Sequence, residues 1–338
     1  MHAGRHYPLK HVLLWTRRET FAFAVIATVP TIFYSAGWHW LTIPWLPIAL
    51  IGTAVAFITG FKNNASYGRL WEARQIWGGI VNTSRSFTIM ACDYLLQEPG
   101  DADPSLDLRA VRDGLVARHI AWLTALRFQL REPRAWENIG LIHNAEYRRH
   151  YQIPERDSDY LGIELGKLLT PTDCAAILGT KNPAAQLLAQ QSHALRALRE
   201  RGLLSDYRHV ALTEALVELY EHQGKCERIK NFPYPRQFAT LNLLFVWLFI
   251  ILVPLGLLQE FQKLGDEFVW LTIPAGVVVA WVFHTMDKIG ESSENPFEGG
   301  PNDVPITAIA RAIEVDLREM LGQKDIPPLL QPRGEILM

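Results

Sequence analysis

The stretch WLPIALIGTAVAFITGF, residues 45–61, decides the architecture of this chain, because no charged side chain interrupts it. A helix that crosses the hydrocarbon core of a bilayer needs about 17–25 mainly apolar residues. Three other runs meet or nearly meet that length once their uncharged flanks are added. They are FAFAVIATVPTIFYSAGW (residues 21–38), LNLLFVWLFIILVPLGLL (241–258) and FVWLTIPAGVVVAWVF (268–283). Each run holds a proline (Pro47, Pro30, Pro254 and Pro274), which membrane helices tolerate better than soluble ones. Buried hairpins of a soluble protein are the competing reading, and the uncharged lengths and prolines weigh against it. No small-residue cleavage site follows the first run, so it is read as a retained helix.

Lysine and arginine placement gives the expected orientation. Arg5, Lys10, Arg17 and Arg18 precede the first run, and Lys62, Arg69 and Arg74 follow the second. Arg228, Lys230 and Arg236 precede the third run, and Lys288 follows the fourth. The short connections between paired runs hold only Lys263. The positive-inside bias then places both termini and the long middle region in the cytosol. Trp38, Trp40, Trp45, Trp270 and Trp281 lie near the ends of the runs, where interfacial aromatic belts form. The expected fold class is an all-α membrane protein with four transmembrane helices and a large cytosolic helical region. Its expected divisions are residues 1–62 (N-terminal segment and first hairpin), 63–236 (cytosolic helices), 237–288 (second hairpin) and 289–338 (cytosolic C-terminal segment).

Composition fits a chain that is part lipid-embedded: 49% of the 338 residues are hydrophobic and 20% charged. A formal net charge of -2 lacks the basic surplus of a nucleic-acid binder. Cys92, Cys174 and Cys226 are too far apart for a thiolate metal site or a disulfide framework, and read as small buried hydrophobes.

The middle region is patterned for helices. The second run is expected to continue as one long helix through YGRLWEARQIWGGIVNTSRSFTIMACDYLL, broken by the Pro/Gly cluster at residues 98–104. A helix follows near residues 106–130, stopped by Glu132-Pro133. Thr170-Pro171 and Asn182-Pro183 open two more, with Thr170 as N-cap. Residues 204–225 and 305–321 read as amphipathic helices.

No enzyme motif occurs: GxxxxGK[ST], GxGxxG and GxSxG are absent, and neither cofactor nor catalytic residue is expected. His143, Glu146 and His150 fall near one helix face and could be read as metal ligands. Arg148 and Arg149 beside them oppose a cation, so a solvated face is the default and no metal site is expected.

The second run says more. Thr53, Phe57 and Phe61 are four apart and share one helix face, while Gly52, Ala54, Ala56 and Gly60 let neighbouring helices approach closely. Copies arranged about an axis would stack the aromatic face into rings around a narrow apolar constriction, which can gate ions by dewetting. Ring edges carry the positive part of the aromatic quadrupole and would favour a passing anion. Packing of this face against the other runs is the alternative that spacing leaves open.

Three segments, GFKNNASYGRLWEARQIWG (60–78), CERIKNFPYP (226–235) and ENPFEG (294–299), resemble the bestrophin channels, above all their bacterial members. The resemblance spans nearly the whole chain in the same order. It implies a homopentamer in the plasma (inner) membrane with one central pore, whose partners are lipid and inorganic ions. It implies a neck at Thr53, Phe57 and Phe61, and a cytosolic aperture at Val210, with Leu204 as the alternative. In the family the first neck position is often larger and apolar, so Thr53 implies a wetter constriction. Animal relatives bind calcium through an acidic cluster after the NPF motif. Here Glu298 and Asp303 stand where about six to eight oxygens are needed, so calcium dependence is not expected. Anion conduction is the leading expectation. A cation channel of the same fold remains open because the neck carries no fixed charge, and so does a non-conducting scaffold. A transporter would place broken helices and polar groups near the midplane of the spans, and the absence of charged residues from all four runs disfavours it.

Overall fold

In the computed structural model, residues 1–96, 107–138, 140, 141, 144 and 152–338 are described. Helix α1 spans Leu9–Ser35. Helix α2 spans Trp45–Tyr94, 50 residues without a break. Its only proline after the N-cap is Pro47, which sits in the first turn where no intrahelical N–H is lost. The expected continuation of the second run as one helix is therefore observed. The Pro/Gly cluster expected to break it lies outside the described residues.

Helix α3, Leu108–Arg131, is capped by Asp107, whose side chain accepts from the Arg109 N–H at 2.8 Å, and stops before Pro133. Helix α4, Ser158–Gly166, starts at a similar Asp157 cap. Helix α5, Pro171–Leu178, starts at Thr170, whose hydroxyl accepts from the Asp173 N–H at 3.2 Å. Helix α6, Pro183–Glu200, starts at Asn182, which accepts from the Ala185 N–H at 3.0 Å. Each of these caps satisfies a donor that the first helical turn would otherwise leave open. Helix α7 spans Asp206–Asn231, longer than the amphipathic pattern suggests. Helices α8 (Arg236–Gln262), α9 (Thr272–Ser292) and α10 (Ile306–Met320) complete the chain.

Two hydrophobic cores result. In the membrane portion, α1 packs along α9, α9 on α8, and α2 against both α8 and α9. Their shared core is Phe23, Ile48, Val55, Val246, Phe249, Ile250, Val253 and Ala280. The stretches containing α2, α8 and α9 are each long and apolar enough to cross a membrane alone. Helix α1 carries Lys10, Arg17, Arg18 and Glu19 in its first half, so its uncharged part is shorter, and it completes the four-helix bundle by packing. The fourth span differs from its expected bounds: Asp266–Leu271 winds as a 3₁₀ turn, and α9 continues to Ser292.

In the extramembrane portion, the second half of α2 is wrapped by α7 and α10, while α3 packs on α6. This larger core holds Trp77, Phe87, Trp122, Leu126, Leu195, Leu212, Leu219 and Phe297. Helix α10 enters through Ile306, Ala310, Ile313 and Leu317, spaced three and four apart, as its sequence pattern requires.

Candidate functional site

Thr53, Phe57 and Phe61 share the face of α2 turned away from its own bundle. Phe57 is 68% and Phe61 60% exposed, although both lie within the apolar span. Their rings meet edge to face, with centroids 4.6 Å apart and planes at 85°, an arrangement favoured by the ring quadrupoles. The Thr53 hydroxyl donates to the Ala49 carbonyl at 2.9 Å, so its proton is spent on its own helix. That makes the first position less polar than a free hydroxyl would be.

The opposite face of α2 is fixed to its neighbours. Gly52 lies against Phe249, where an added Cβ would come 2.6 Å from the ring. Two turns further, the Thr59 hydroxyl donates to Asn242 at 3.1 Å. The Lys62 ammonium meets Asp287 at 2.6 Å, and the Asn242 amide donates to the same carboxylate oxygen at 2.6 Å. Lys62 and Asp287 are 4% and 2% exposed. Lys288 is buried as well and donates to Glu19 at 2.8 Å. Lys62 and Lys288, which the sequence offers only as flanking topogenic charges, are thus interior groups paired with carboxylates.

Below the membrane, Arg69 joins the three sequence segments that carry the family resemblance. It donates to the carbonyls of Ile229 at 2.8 Å and Phe232 at 2.9 Å, at the end of α7, and to that of Glu294 at 2.9 Å. A cation is favourable at a helix C-terminus, where unpaired carbonyls concentrate negative charge. Ion pairs Arg228–Glu72 and Arg236–Glu294 reinforce the junction. Helix α7 therefore lies along α2, and the two candidate constrictions belong to adjacent helices of one subunit.

On α7, Val210 is 53% exposed and free to face an axis. Leu204, the alternative, is 2% exposed and packs inside the subunit's own core. A side chain committed to that core cannot also line an aperture, so Leu204 drops out of the candidate site.

The ENPFEG turn is closed from within. Asp303 accepts from the N–H groups of Gly299 at 2.7 Å and Gly300 at 2.8 Å, with Arg131 at 3.9 Å. Gly299 adopts φ 92°, and a Cβ there would come 2.6 Å from Ile153, so both backbone and space require glycine. Glu298 accepts from the Asn138 N–H at 3.0 Å and from the Asn295 amide. Burial, then the charge of Asp303, pushes its carboxyl up to about 8. Both acidic residues are engaged by protein donors. Among the described residues no group of three or more His, Cys, Asp or Glu side chains is placed to hold a metal ion. His143, Glu146 and His150 lie outside the described residues.

Sequence reasoning missed the Lys62–Asp287–Asn242–Thr59 network and Arg69. A lysine directly after an apolar run looks topogenic, and backbone carbonyl acceptors leave no signature in side-chain types.

The family model described as Bacterial/Fungal Bestrophin protein matches residues 10–319. The voltage-dependent anion channel-forming protein YneE of Escherichia coli K12 is 29% identical over 286 residues, covering 85% of this chain and 80% of that protein. A voltage-dependent anion channel-forming protein of Mesorhizobium japonicum is 25% identical over 317 residues, covering 93% and 87%. In overall fold, the crystal structure of a bacterial bestrophin homologue from Klebsiella pneumoniae is similar, with TM-score 0.74 and 24% identity over 90% of this chain and 98% of that one. With the family model covering both hairpins and the helices between them, the chain belongs to the bacterial and fungal bestrophin family.

Proposed function

We propose that this protein is an anion channel, assembled as a homo-oligomer around a central pore whose neck is the Thr53–Phe57–Phe61 face of α2. The observation that carries this reading is the exposure of Phe57 and Phe61 on a membrane-spanning helix whose other face is packed and polar-locked. Lipid can cover such an apolar face, and so can a second, third or further copy of itself around an axis, without any additional protein. The family resemblance favours five copies. The rings would form an apolar constriction that passes ions only when wetted, and their positive edges favour anions such as chloride. The names of the Escherichia coli and Mesorhizobium relatives support the anionic sign.

Val210 lines a second aperture on the cytosolic side, with both termini and residues 63–236 in the cytosol and the hairpins in the plasma (inner) membrane. The divisions 1–62, 63–236, 237–288 and 289–338 then alternate between membrane and water. No catalytic step is needed, since conduction is passive.

The test is current through a planar bilayer holding the purified oligomer under a salt gradient. A reversal potential at the chloride equilibrium value is expected. Phe57→Ala should raise the current roughly ten-fold, the effect of removing about 1.4 kcal/mol from a barrier. Reversal at the cation value would keep the channel and invert its selectivity. No current from folded oligomer, wild type and Phe57→Ala alike, would move the reading to a non-conducting scaffold.

A further inference from the structure

The polar cluster behind the neck stands out because it is buried and directional, and ties α2 to both α8 and α9 beside an apolar shared core. Four residues of three helices form it: Thr59 and Lys62 of α2, Asn242 of α8 and Asp287 of α9. They are 1%, 4%, 1% and 2% exposed. The links run Thr59 to Asn242 (3.1 Å), Asn242 to Asp287 (2.6 Å) and Lys62 to Asp287 (2.6 Å). A separate contact repeats the attachment at the next residue: the Asn63 amide donates to the Met286 carbonyl at 2.9 Å. Opposite Asn63 stands Gly290, where any Cβ would collide with the Asn63 side chain, so α9 approaches α2 closely here by virtue of that glycine.

All these attachments fall within one turn of Phe61, on the face of α2 opposite to it. A helix with its side chains is about 10–12 Å across, so rotating α2 by roughly 30° would carry a group on its rim by about 3 Å. That distance is comparable to the size of an ion, and it would open or close a ring of phenylalanines. Apolar contacts such as Val55 against its neighbours resist separation but tolerate sliding and rotation. A buried ion pair with shared hydrogen bonds does not, because any rotation leaves a charge unpaired in a poorly solvating interior. Buried ionic groups are poor sources of stability and better suited to fixing one register among several.

From this geometry we infer that Lys62 and Asp287 are positioning residues of the pore: their locked pair, with Asn242 and Thr59, sets the rotation of α2 and thereby the aperture at Phe57 and Phe61. The inference rests on the channel reading above and deepens it, adding a residue set that touches no permeating ion.

The experiment is a double-mutant cycle on bilayer current with oligomers that elute as wild type from size exclusion. The single substitution Asp287→Asn would strand the Lys62 charge and can prevent folding. The pair Lys62→Met with Asp287→Asn removes both charges together and keeps the site filled. In the wild-type neck this double variant should raise the current roughly ten-fold, within the range of coupling found between interacting sites. In a background with both rings removed, Phe57→Ala with Phe61→Ala, where the constriction is already open, it should add nothing. Lys62→Arg, which keeps the charge, should restore most of the closed behaviour. Equal multiplication of current in both backgrounds would overturn the inference, since a merely structural role is additive with the neck. Wild-type current from the double variant would overturn it too. If neither wild type nor Phe57→Ala with Phe61→Ala conducts, the channel reading itself falls and takes the inference with it.

Discussion

Phe57 and Phe87 are the same residue on the same helix, yet one is 68% exposed and the other 0%. The two halves of α2 differ in whether they bury aromatic side chains. In the membrane half the buried stripe is Ile48, Gly52, Val55, Thr59 and Lys62, without an aromatic, while Leu46, Leu50, Phe57 and Phe61 lie outside the subunit's own core. In the extramembrane half the buried stripe mixes Ser66, Ala73, Ser84 and Ala91 with Leu70, Ile76, Trp77, Ile80 and Phe87, while Asn82 and Arg85 face outward. The reason lies in the solvent. Water expels large apolar side chains into a core, at about 25 cal/mol per Å² removed. Lipid does not, so helices there associate through close approach of small residues and internal polar contacts. One continuous helix therefore leaves Phe57 and Phe61 outside its subunit's core in one half and buries Trp77 and Phe87 in the other.

The sharpest way to break this comparison is one substitution made twice. Phe87→Ala should cost about 3–5 kcal/mol in a denaturant melt of the detergent-solubilised protein, because it empties a closed site between α2 and α3. The ring also stacks on His119 at 5.3 Å, a contact that is lost with it. Phe57→Ala should cost less than about 1.5 kcal/mol, since the ring is 68% exposed and its contact within the subunit is the edge-to-face pair with Phe61. Equal costs at the two positions would mean that α2 is packed by a single rule and that Phe57 is covered by its own subunit.

The large division was legible in the sequence, because solvent is what hydrophobic runs report. The four uncharged runs mark the membrane bundle, and the Thr170 and Asn182 caps mark starts of α5 and α6. Boundaries set by distant partners were not legible. Helix α9 passes beyond its apolar run into Asp287, Lys288 and Ser292, residues that look like a solvated flank. Asp287 and Lys288 are held by Lys62 and by Glu19, which are more than two hundred residues away in sequence. Similarly, α7 runs on through Cys226–Asn231 because Arg69 collects the carbonyls at its end, and no local pattern encodes that. The face carrying Phe57 and Phe61 was legible from four-residue spacing. That it stays uncovered could only be seen once the other three membrane helices were placed.

A second, smaller effect tests the small-residue rule of the membrane half. Gly52→Val would push a side chain into the Phe249 ring, and overpacking of this kind costs about 1–3 kcal/mol. Gly60 has no neighbouring atom within 4 Å of an added Cβ. Gly60→Ala should therefore be neutral or slightly stabilising within the subunit, since alanine is the better helix former. Thermal melts of the two variants give the comparison directly. A neutral Gly52→Val would show that α2 and α8 can separate without loss, which would also weaken the case for a fixed register behind the neck.

The smallest effect concerns a single buried polar group. His119, packed between Phe87 and Trp122, has no hydrogen-bond partner for either ring nitrogen among the described residues. Burial lowers its pKa from 6.5 to about 3, so the folded protein keeps the imidazole neutral where the unfolded chain would protonate it. Between those values the unfolded state binds more protons, and stability falls as pH drops from about 6.5 toward 3, by up to ~1.4 kcal/mol per unit. Glu298 acts in the opposite direction. Its folded pKa of about 8 lies above the ordinary 4.5, so its contribution falls as pH rises between them. The difference between His119→Phe and wild type isolates the histidine. Near pH 7.5 that difference reflects repacking alone, and at pH 5.5 it should shift in favour of the variant by about 1 kcal/mol. Urea melts at the two pH values measure it. A difference that does not change with pH would mean that His119 is solvated or partnered in the folded protein.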